Sequence, residues 1–188
     1  MLSLERLSAL RRAAADLRED LQIVARRVGH PDRITHPSVL LDMSSAALIL
    51  LRSSIGLRKA TGGSFGTRSA LKWIFRIDVW TDEIGAGLTL PHPFNIVIGA
   101  GVSIGRDCTI MHNTTIQHAT ATRIEDGAVL GTGAVVLADR VVGRRSFCGA
   151  NSVVTRDVPD DTTVVGAPAK PIPSAAKPPA EVVGHDKT

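Results

Sequence analysis

A six-residue period between Ile98 and Val154 constrains the fold of this chain more than any other feature. A period of six suits neither an α-helix nor a β-hairpin meander. It predicts a coil of short strands joined by tight turns, in which each strand points one large aliphatic side chain inward beside a small one. The large positions are Ile98, Ile104, Ile110, Ile116, Ile124, Leu130, Val136, Val142, Cys148 and Val154. The small or modest positions are Val102, Cys108, Thr114, Ala128, Ala134, Ser146 and Ser152.

The period is broken twice by two extra residues. Ile98 follows Leu90 by eight residues, and the second break falls at 117–122. Breaks of this kind predict places where the coil bulges outward, as functional loops do on rigid scaffolds. Arg140 stands in a position that otherwise takes a small residue, and the sequence gives no reason for it.

The first part of the chain has a different pattern. Leucine and alanine recur at three- and four-residue spacing up to Ala25, which predicts an amphipathic helix that Gly29 and Pro31 end. A second helix is expected from Thr35 or His36 to about Arg58, and His30 and His36 are expected to be solvated or capping residues. A short helix over 67–76 should follow a glycine-rich connection.

These patterns divide the chain into three segments. They are an α-helical region over 1–76, a β-helical domain over 77–172, and a flexible tail over 173–188 that is rich in proline, alanine and lysine. Tight turns favour glycine and asparagine, and the β-helical segment holds them at its strand ends.

Composition excludes several functions. The net charge is +4 and the pI is about 9.6, but the basic residues are dispersed and only 3% of residues are aromatic, so nucleic-acid binding is not expected. No apolar run is long enough to span a membrane, and 1–20 lack the apolar stretch of a signal peptide, which together predict a cytoplasmic protein. Cys108 and Cys148 are expected to be reduced core residues. No cluster has metal-ligand spacing, so no metal is expected.

The six-residue repeats, or hexads, resemble those of a known family when they are considered together with two further motifs. Leu90-Pro91-His92-Pro93 precedes Ile96-Val97-Ile98-Gly99, and the domain ends in Val164-Val165-Gly166-Ala167-Pro168-Ala169-Lys170. Together these motifs resemble the hexapeptide-repeat acyltransferases, and within them the serine O-acetyltransferase branch. The resemblance implies a left-handed parallel β-helix, a homotrimer, and acetyl-CoA bound between neighbouring coils as the acyl donor. Trimers are further expected to pair through the N-terminal helices.

His92 matches the family's catalytic histidine. A histidine near an acceptor hydroxyl takes its proton as the oxygen attacks the thioester, and a backbone N–H of a turn is expected to stabilise the resulting oxyanion. The serine-specific branch usually has aspartate directly before this histidine and an Arg-His pair in a longer loop, where this chain has Pro91 and, in the loop, Ala121 and Thr122. His118 lies nearby and is the candidate for a second catalytic histidine.

The acceptor side and the coenzyme side have separate candidates. Pro91 and His112 are candidates for the acceptor pocket, although His112 also fits the alternative of a satisfied turn histidine. The resemblance implies that small residues in two turns lie against the pantetheine arm and that two basic residues meet the phosphates. The coenzyme candidates are Gly131, Thr132, Gly133, Ala150, Asn151, Arg156 and Lys170.

The sequence therefore favours an acetyl-CoA-dependent O-acetyltransferase acting on serine or a similar small metabolite. The first alternative is O-acetylation of a sugar or polysaccharide unit, which needs no group to hold an amino-acid carboxylate. The second alternative is a catalytically silent β-helix that serves as an oligomerisation or partner-binding platform.

Overall fold

The computed structural model describes residues 3–172, so the predicted tail over 173–188 lies outside the described residues. Helices come first and short strands follow. The helices are α1 (Leu4–Arg27), α2 (Pro37–Leu40), α3 (Met43–Thr61) and α4 (Thr67–Phe75). The strands are β1 (Asp78–Val79), β2 (Val97–Ile98), β3 (Ser103–Ile104), β4 (Thr109–Ile110), β5 (Thr115–Ile116), β6 (Arg123–Ile124), β7 (Val129–Leu130), β8 (Val135–Val136), β9 (Val141–Val142), β10 (Phe147–Cys148), β11 (Val153–Val154), β12 (Thr163–Val165) and β13 (Lys170–Pro171).

The strands form a parallel β-helix with three faces. Sheet A has the order β1-β2-β5-β8-β11, sheet B has β3-β6-β9, and sheet C has β13-β12-β10-β7-β4. Each strand pairs in parallel with the strand one coil away, except β13, which runs antiparallel to β12. Ile98 pairs with Ile116, and Ile116 with Val136, so the hexad positions stack directly on one another. The predicted β-helix after an α-helical region is confirmed.

The hexad residues form the core of the β-helix. All ten large positions are at most 4% exposed, and the small positions beside them are fully buried. Arg140 differs because its side chain is partly exposed and its guanidinium lies 3.8 Å from the Asp157 carboxylate on the next coil. The charged end of this long side chain therefore stays at the surface.

The helical region agrees with the sequence except at one point. The single helix predicted from Thr35 or His36 to about Arg58 is wrong, because the chain forms the two helices α2 and α3 there. The Asp42 side chain accepts hydrogen bonds from the Ser44 and Ser45 N–H groups and so begins a new helix. His36 caps α2, as expected. No helix within residues 3–172 is long and apolar enough to cross a membrane.

A buried ion pair joins the helices to the β-helix. Arg52 of α3 donates to both carboxylate oxygens of Asp20 of α1, at 2.7 and 3.1 Å, and to the Ile84 and Gly85 carbonyl oxygens at 2.8 and 2.6 Å. The Asp20 carboxylate also accepts from the Leu88 N–H at 3.0 Å. Burial raises the pKa of Asp20 above its ordinary value, and the hydrogen bond and charge of Arg52 oppose this rise. One guanidinium thus bridges α1, α3 and the first coil.

Candidate active site

The candidate residues from four successive coils collect along one edge of the β-helix. This edge, here called the C–A edge, consists of the turns that lead from sheet C to sheet A, at 91–96, 111–114, 131–134 and 149–152. Each turn hydrogen-bonds to the previous one: the N–H groups of Asn113, Gly133 and Asn151 donate to the carbonyl oxygens of Phe94, His112 and Thr132. These bonds hold the turns in a stack spaced by the usual strand separation of about 4.8 Å.

His92 lies at the first turn, which the two extra residues enlarge. The Ser44 hydroxyl at the start of α3 donates to the Pro91 carbonyl oxygen at 3.4 Å. Asn95 follows with a positive φ of 54°, and its N–H donates to the Phe75 carbonyl oxygen at 3.1 Å. The helices therefore fix both sides of the segment, while the His92 side chain is exposed.

His92 and His112 are neighbours on adjacent coils. Their ring centroids are 5.6 Å apart and the ring planes meet at 79°, an edge-to-face arrangement. Within residues 3–172 neither ring forms a hydrogen bond, and the Nδ1 atom of His112 is buried without a partner. The pair was not foreseen as a unit, although their spacing of 20 residues equals one coil plus the two-residue insertion.

An asparagine pair beside the two histidines was missed in the sequence. The Asn95 side-chain nitrogen donates to the Asn113 side-chain oxygen at 3.0 Å, and both residues have positive φ, at 54° and 61°. Asparagine tolerates this backbone conformation better than most residues. The signal in the sequence was an asparagine at the same place in two successive turns.

The third and fourth turns contain most of the coenzyme candidates. A Cβ on Gly131 would lie 2.7 Å from the Cys148 carbonyl oxygen and 2.9 Å from the Ala150 nitrogen, so only glycine fits the stack there. Thr132 and Gly133 are partly exposed, and Ala150 and Asn151 are exposed. The third and fourth turns therefore form a surface of small side chains next to the two turns that contain His92 and His112.

Lys170 lies near the fourth turn. It belongs to β13, which pairs with β12 through Val165. A Cβ on Gly149 would approach the Val165 side chain to 2.8 Å, so β12 passes directly over this turn. Lys170 is exposed and therefore presents a positive charge at this end of the C–A edge.

The structure separates two candidates from this edge. His118 and Arg156 lie in turns that lead from sheet A to sheet B, here called the A–B edge. His118 follows β5 and Arg156 follows β11, and both of these strands belong to sheet A. His92 instead precedes a strand of sheet A, β2. Within one chain neither residue is brought together with His92. Thr122 of the same loop as His118 is buried, and its hydroxyl accepts from the Asp139 N–H at 2.8 Å.

The cysteines lie inside the β-helix. Burial raises the pKa of Cys108 and of Cys148 to about 12 in each case. Both thiols are therefore protonated and poorly reactive near neutral pH, and neither is a nucleophile of the site. Residues 3–172 contain no group of three or more side chains suited to hold a metal ion.

Comparison with known proteins places these features in a family. No family model matches the chain. The serine acetyltransferase of Buchnera aphidicola subsp. Acyrthosiphon pisum is 42% identical over 94 residues, which make up 46% of this chain and 34% of that protein. The chain spans less than half the length of the curated relatives that it matches.

Solved structures match over more of the chain. A serine O-acetyltransferase with bacterial transferase hexapeptide repeats from Brucella melitensis is 30% identical with a TM-score of 0.74, and the match covers 89% of this chain and 70% of that one. A serine acetyltransferase in complex with CoA is 26% identical with a TM-score of 0.71, and the match covers 85% of this chain and 69% of that one. The hexad core, the His92 motif and these similarities show that the chain belongs to the hexapeptide-repeat proteins of the serine O-acetyltransferase kind.

Proposed function

We propose that the protein is an acetyl-CoA-dependent O-acetyltransferase that transfers an acetyl group to the hydroxyl of serine or a similar small metabolite, with His92 as the general base. The observation that carries the proposal is the alignment of His92 with the glycine-rich third and fourth turns on one edge. We place the acyl end of a thioester bound along those turns at the histidine.

The reaction needs no covalent enzyme intermediate. A ring nitrogen of His92 takes the hydroxyl proton while the acceptor oxygen attacks the thioester carbonyl carbon. The carbonyl π electrons move to oxygen and give a tetrahedral oxyanion. Its collapse breaks the carbon–sulfur bond, and the leaving thiolate takes the proton from His92. The exposure of His92 suits direct contact with the acceptor.

We propose that the coenzyme binds along the third and fourth turns of the C–A edge. Gly131, Thr132 and Gly133, with Ala150 and Asn151, would lie against the pantetheine arm, and Lys170 would meet phosphate charge. The solved relative in complex with CoA supports binding of this ligand by the same fold. Arg156 lies on the A–B edge and would reach a coenzyme only from a neighbouring subunit.

The identity of the acceptor rests on fewer residues than the binding of the coenzyme. Serine is proposed because the matched relatives are serine acetyltransferases, with Pro91 and His112 at the acceptor side. A saccharide unit is the second candidate, because the loop positions where the serine-specific branch has Arg and His are Ala121 and the buried Thr122. Neither residue offers a charge to hold an amino-acid carboxylate.

The proposal includes a homotrimer in the cytoplasm. His118 can assist His92 only across a subunit boundary, because the two lie on different edges of the same chain. On sheet A, Val97 is 40% exposed and offers apolar surface for packing. Leu4 and Leu7 of α1, at 86% and 39% exposed, offer a surface through which trimers would pair. Light scattering of the purified chain measures the mass, and a monomer would contradict this part.

A thiol-release assay tests the activity. Acetyl-CoA is incubated with the purified chain and with serine, homoserine or a panel of sugars. We expect release with serine, and loss of at least about 100-fold in kcat for His92→Ala because a general base contributes about that much. His30→Ala is the matched histidine control, because His30 follows α1 and stacks on His36 outside the C–A edge. Full activity of His92→Ala would contradict the mechanism, and absence of CoA binding by calorimetry would favour the silent platform.

A further inference from the structure

We propose that His112 is a second catalytic residue, whose Nε2–H donates a hydrogen bond to the oxyanion that forms when the acceptor attacks the thioester. The inference rests on the proposed acetyl transfer and assigns a donor for the charge that this reaction creates. Four observations carry it.

The first observation is the position of His112 on the C–A edge. His92 lies on the first turn, His112 on the second, and the coenzyme candidates begin on the third at Gly131. Neighbouring coils are about 4.8 Å apart. A thioester that reaches from the third turn down to His92 must therefore pass its carbonyl group at the level of His112.

The second observation concerns the backbone. Three N–H groups of the turns, those of Asn113, Gly133 and Asn151, already donate to carbonyl oxygens of the preceding coil. They hold the stack together and are not free for the oxyanion. These bonds occupy three backbone donors of the edge, and His112 is the side chain of the second turn whose ring contacts the ring of His92.

The third observation defines the tautomer of His112. Its Nδ1 atom is buried and has no partner within residues 3–172. A buried N–H without an acceptor is rarer and more costly in proteins than an acceptor without a donor. The proton of the neutral ring therefore lies on Nε2, which is the nitrogen left to face a ligand.

The fourth observation is the contact between the two rings. His92 and His112 meet edge to face at 5.6 Å and do not hydrogen-bond to each other. Neither ring thus uses a nitrogen atom of the other, and Nε2 of His112 stays available to the substrates. The base removes the acceptor proton while the donor stabilises the charge on the carbonyl oxygen, and no proton of His112 is consumed in the cycle.

The position of the His112 backbone is set independently of its ring. Its carbonyl oxygen accepts from the Gly133 N–H at 3.0 Å. The hydroxyl of Thr114 donates to the Met111 carbonyl oxygen at 2.7 Å and fixes the turn from the other side. A donor held in this way needs little reorganisation when the oxyanion forms, which is the condition for strong electrostatic stabilisation.

Two variants of the full chain test the inference. His112→Phe keeps an aromatic ring against His92 but has no N–H, and we expect kcat to fall about 100- to 1000-fold, as when one oxyanion donor is removed. His112→Gln supplies an amide N–H and should stay within about 10-fold of the wild type. Both should keep the KM for acetyl-CoA and the calorimetric affinity for CoA within about threefold, because the donor acts on the transition state.

The outcomes separate this inference from the proposed function. Thiol release by the wild type together with an unchanged kcat of His112→Phe overturns the role of His112 and leaves the activity in place. Loss of CoA affinity in step with kcat for both variants also overturns it, because the residue would then be structural. A wild type without thiol release for any acceptor overturns the activity and this inference with it. Nitrogen NMR of the imidazoles of the wild type gives a further test: a neutral His112 ring with its proton on Nδ1 would contradict the donor role.

Discussion

The β-helix and the helical region achieve their packing in opposite ways. In the β-helix the same inward position recurs every six residues, and Ile98, Ile116 and Val136 stack in register. In the helical region the three- and four-residue spacing does not stack one coil on another, and the contact with the first coil includes the buried pair of Arg52 and Asp20. A repeat distributes stability over many equivalent contacts, whereas the boundary between the two regions combines a shared apolar core with the buried ion pair of Arg52 and Asp20. Replacements in matched pairs test this difference.

The largest loss of stability is expected at the contact between the helices and the first coil, where Arg52 and Asp20 form their ion pair. Arg52→Met leaves the Asp20 carboxylate buried without its cation, and we expect a loss of about 3–5 kcal/mol in the free energy of unfolding. Urea unfolding followed by far-UV circular dichroism measures it. Arg106→Met is the control, because Arg106 also links the β-helix to α1, through Glu19 at 2.6 Å, but both side chains are about half exposed. An exposed pair contributes at most about 1 kcal/mol, so equal losses would contradict the distinction.

The pH dependence of the Arg52→Met protein has a definite sign. Burial raises the pKa of Asp20, and the variant lacks the arginine that opposes this rise. The folded variant therefore holds a proton on Asp20 at pH values where the unfolded chain has lost it. Its stability should rise as the pH falls toward the ordinary aspartate pKa of about 3.9, and a flat profile would show that water reaches the carboxylate.

Core truncation in each region is expected to have the next largest effect. Leu130→Ala in the β-helix and Leu48→Ala in α3 each remove a fully buried side chain, for about 2–5 kcal/mol each. Alkylation of the two cysteines distinguishes them, because Cys148 pairs directly with Leu130 and both thiols have a pKa of about 12. Leu130→Ala should accelerate alkylation more than Leu48→Ala. Equal acceleration would mean that the two regions open as one unit.

Two glycines serve the two regions differently. A Cβ on Gly131 would collide with backbone atoms of the next coil, whereas Gly62 ends α3 with a φ of 81° and open space around it. We expect Gly131→Ala to cost about 1–3 kcal/mol through overpacking, and Gly62→Ala to cost about 1 kcal/mol through backbone strain. Only Gly131→Ala should raise the KM for acetyl-CoA. Thermal unfolding and initial rates measure the two effects.

The sequence predicts the repetitive region well because its signal is local and repeated. Both breaks in the six-residue period were located, and one of them enlarges the His92 turn. The ion pair of Arg52 with Asp20 could not be predicted, because the two residues are 32 apart and lie in unrelated helices. The start of α3 at Asp42 was missed for the opposite reason: its hydrogen bonds are local, but the surrounding apolar pattern continues across the break.

The candidate site follows the same division. The motif around His92 and the small residues of the turns at Gly131 and Ala150 made these positions candidates, and the structure brings them to one edge. The separation of His118 and Arg156 from His92 could not, because it depends on which sheet precedes each turn. Six residues correspond to one strand and one turn, so the number of residues between two positions tells which edge each one lies on. A step of eight residues breaks this rule, and the edge can then no longer be read from the sequence alone.

The smallest effect is expected at two aspartates with the same task. Asp42 accepts from the Ser44 N–H at 2.9 Å at the start of α3, and Asp126 accepts from the Arg106 N–H at 2.7 Å in the β-helix. We expect Asp42→Ala to cost about 1 kcal/mol as a lost helix cap, and Asp126→Ala to cost about 0.5–1.5 kcal/mol as a lost hydrogen bond. Thermal unfolding measures both.

The Asp42 variants also connect stability with the site. Asp42→Asn keeps an acceptor oxygen for the cap but loses the ion pair with Arg27 at 3.0 Å. It should therefore retain most of the stability that Asp42→Ala loses, and an equal loss would mean that the ion pair dominates. Arg27 also donates to the Ser44 hydroxyl at 2.8 Å, and that hydroxyl donates to the Pro91 carbonyl oxygen beside His92. A fall in kcat for Asp42→Ala that exceeds the fall for Asp126→Ala would therefore show that the helical region positions the base, because only Asp42 is linked to the segment that contains it.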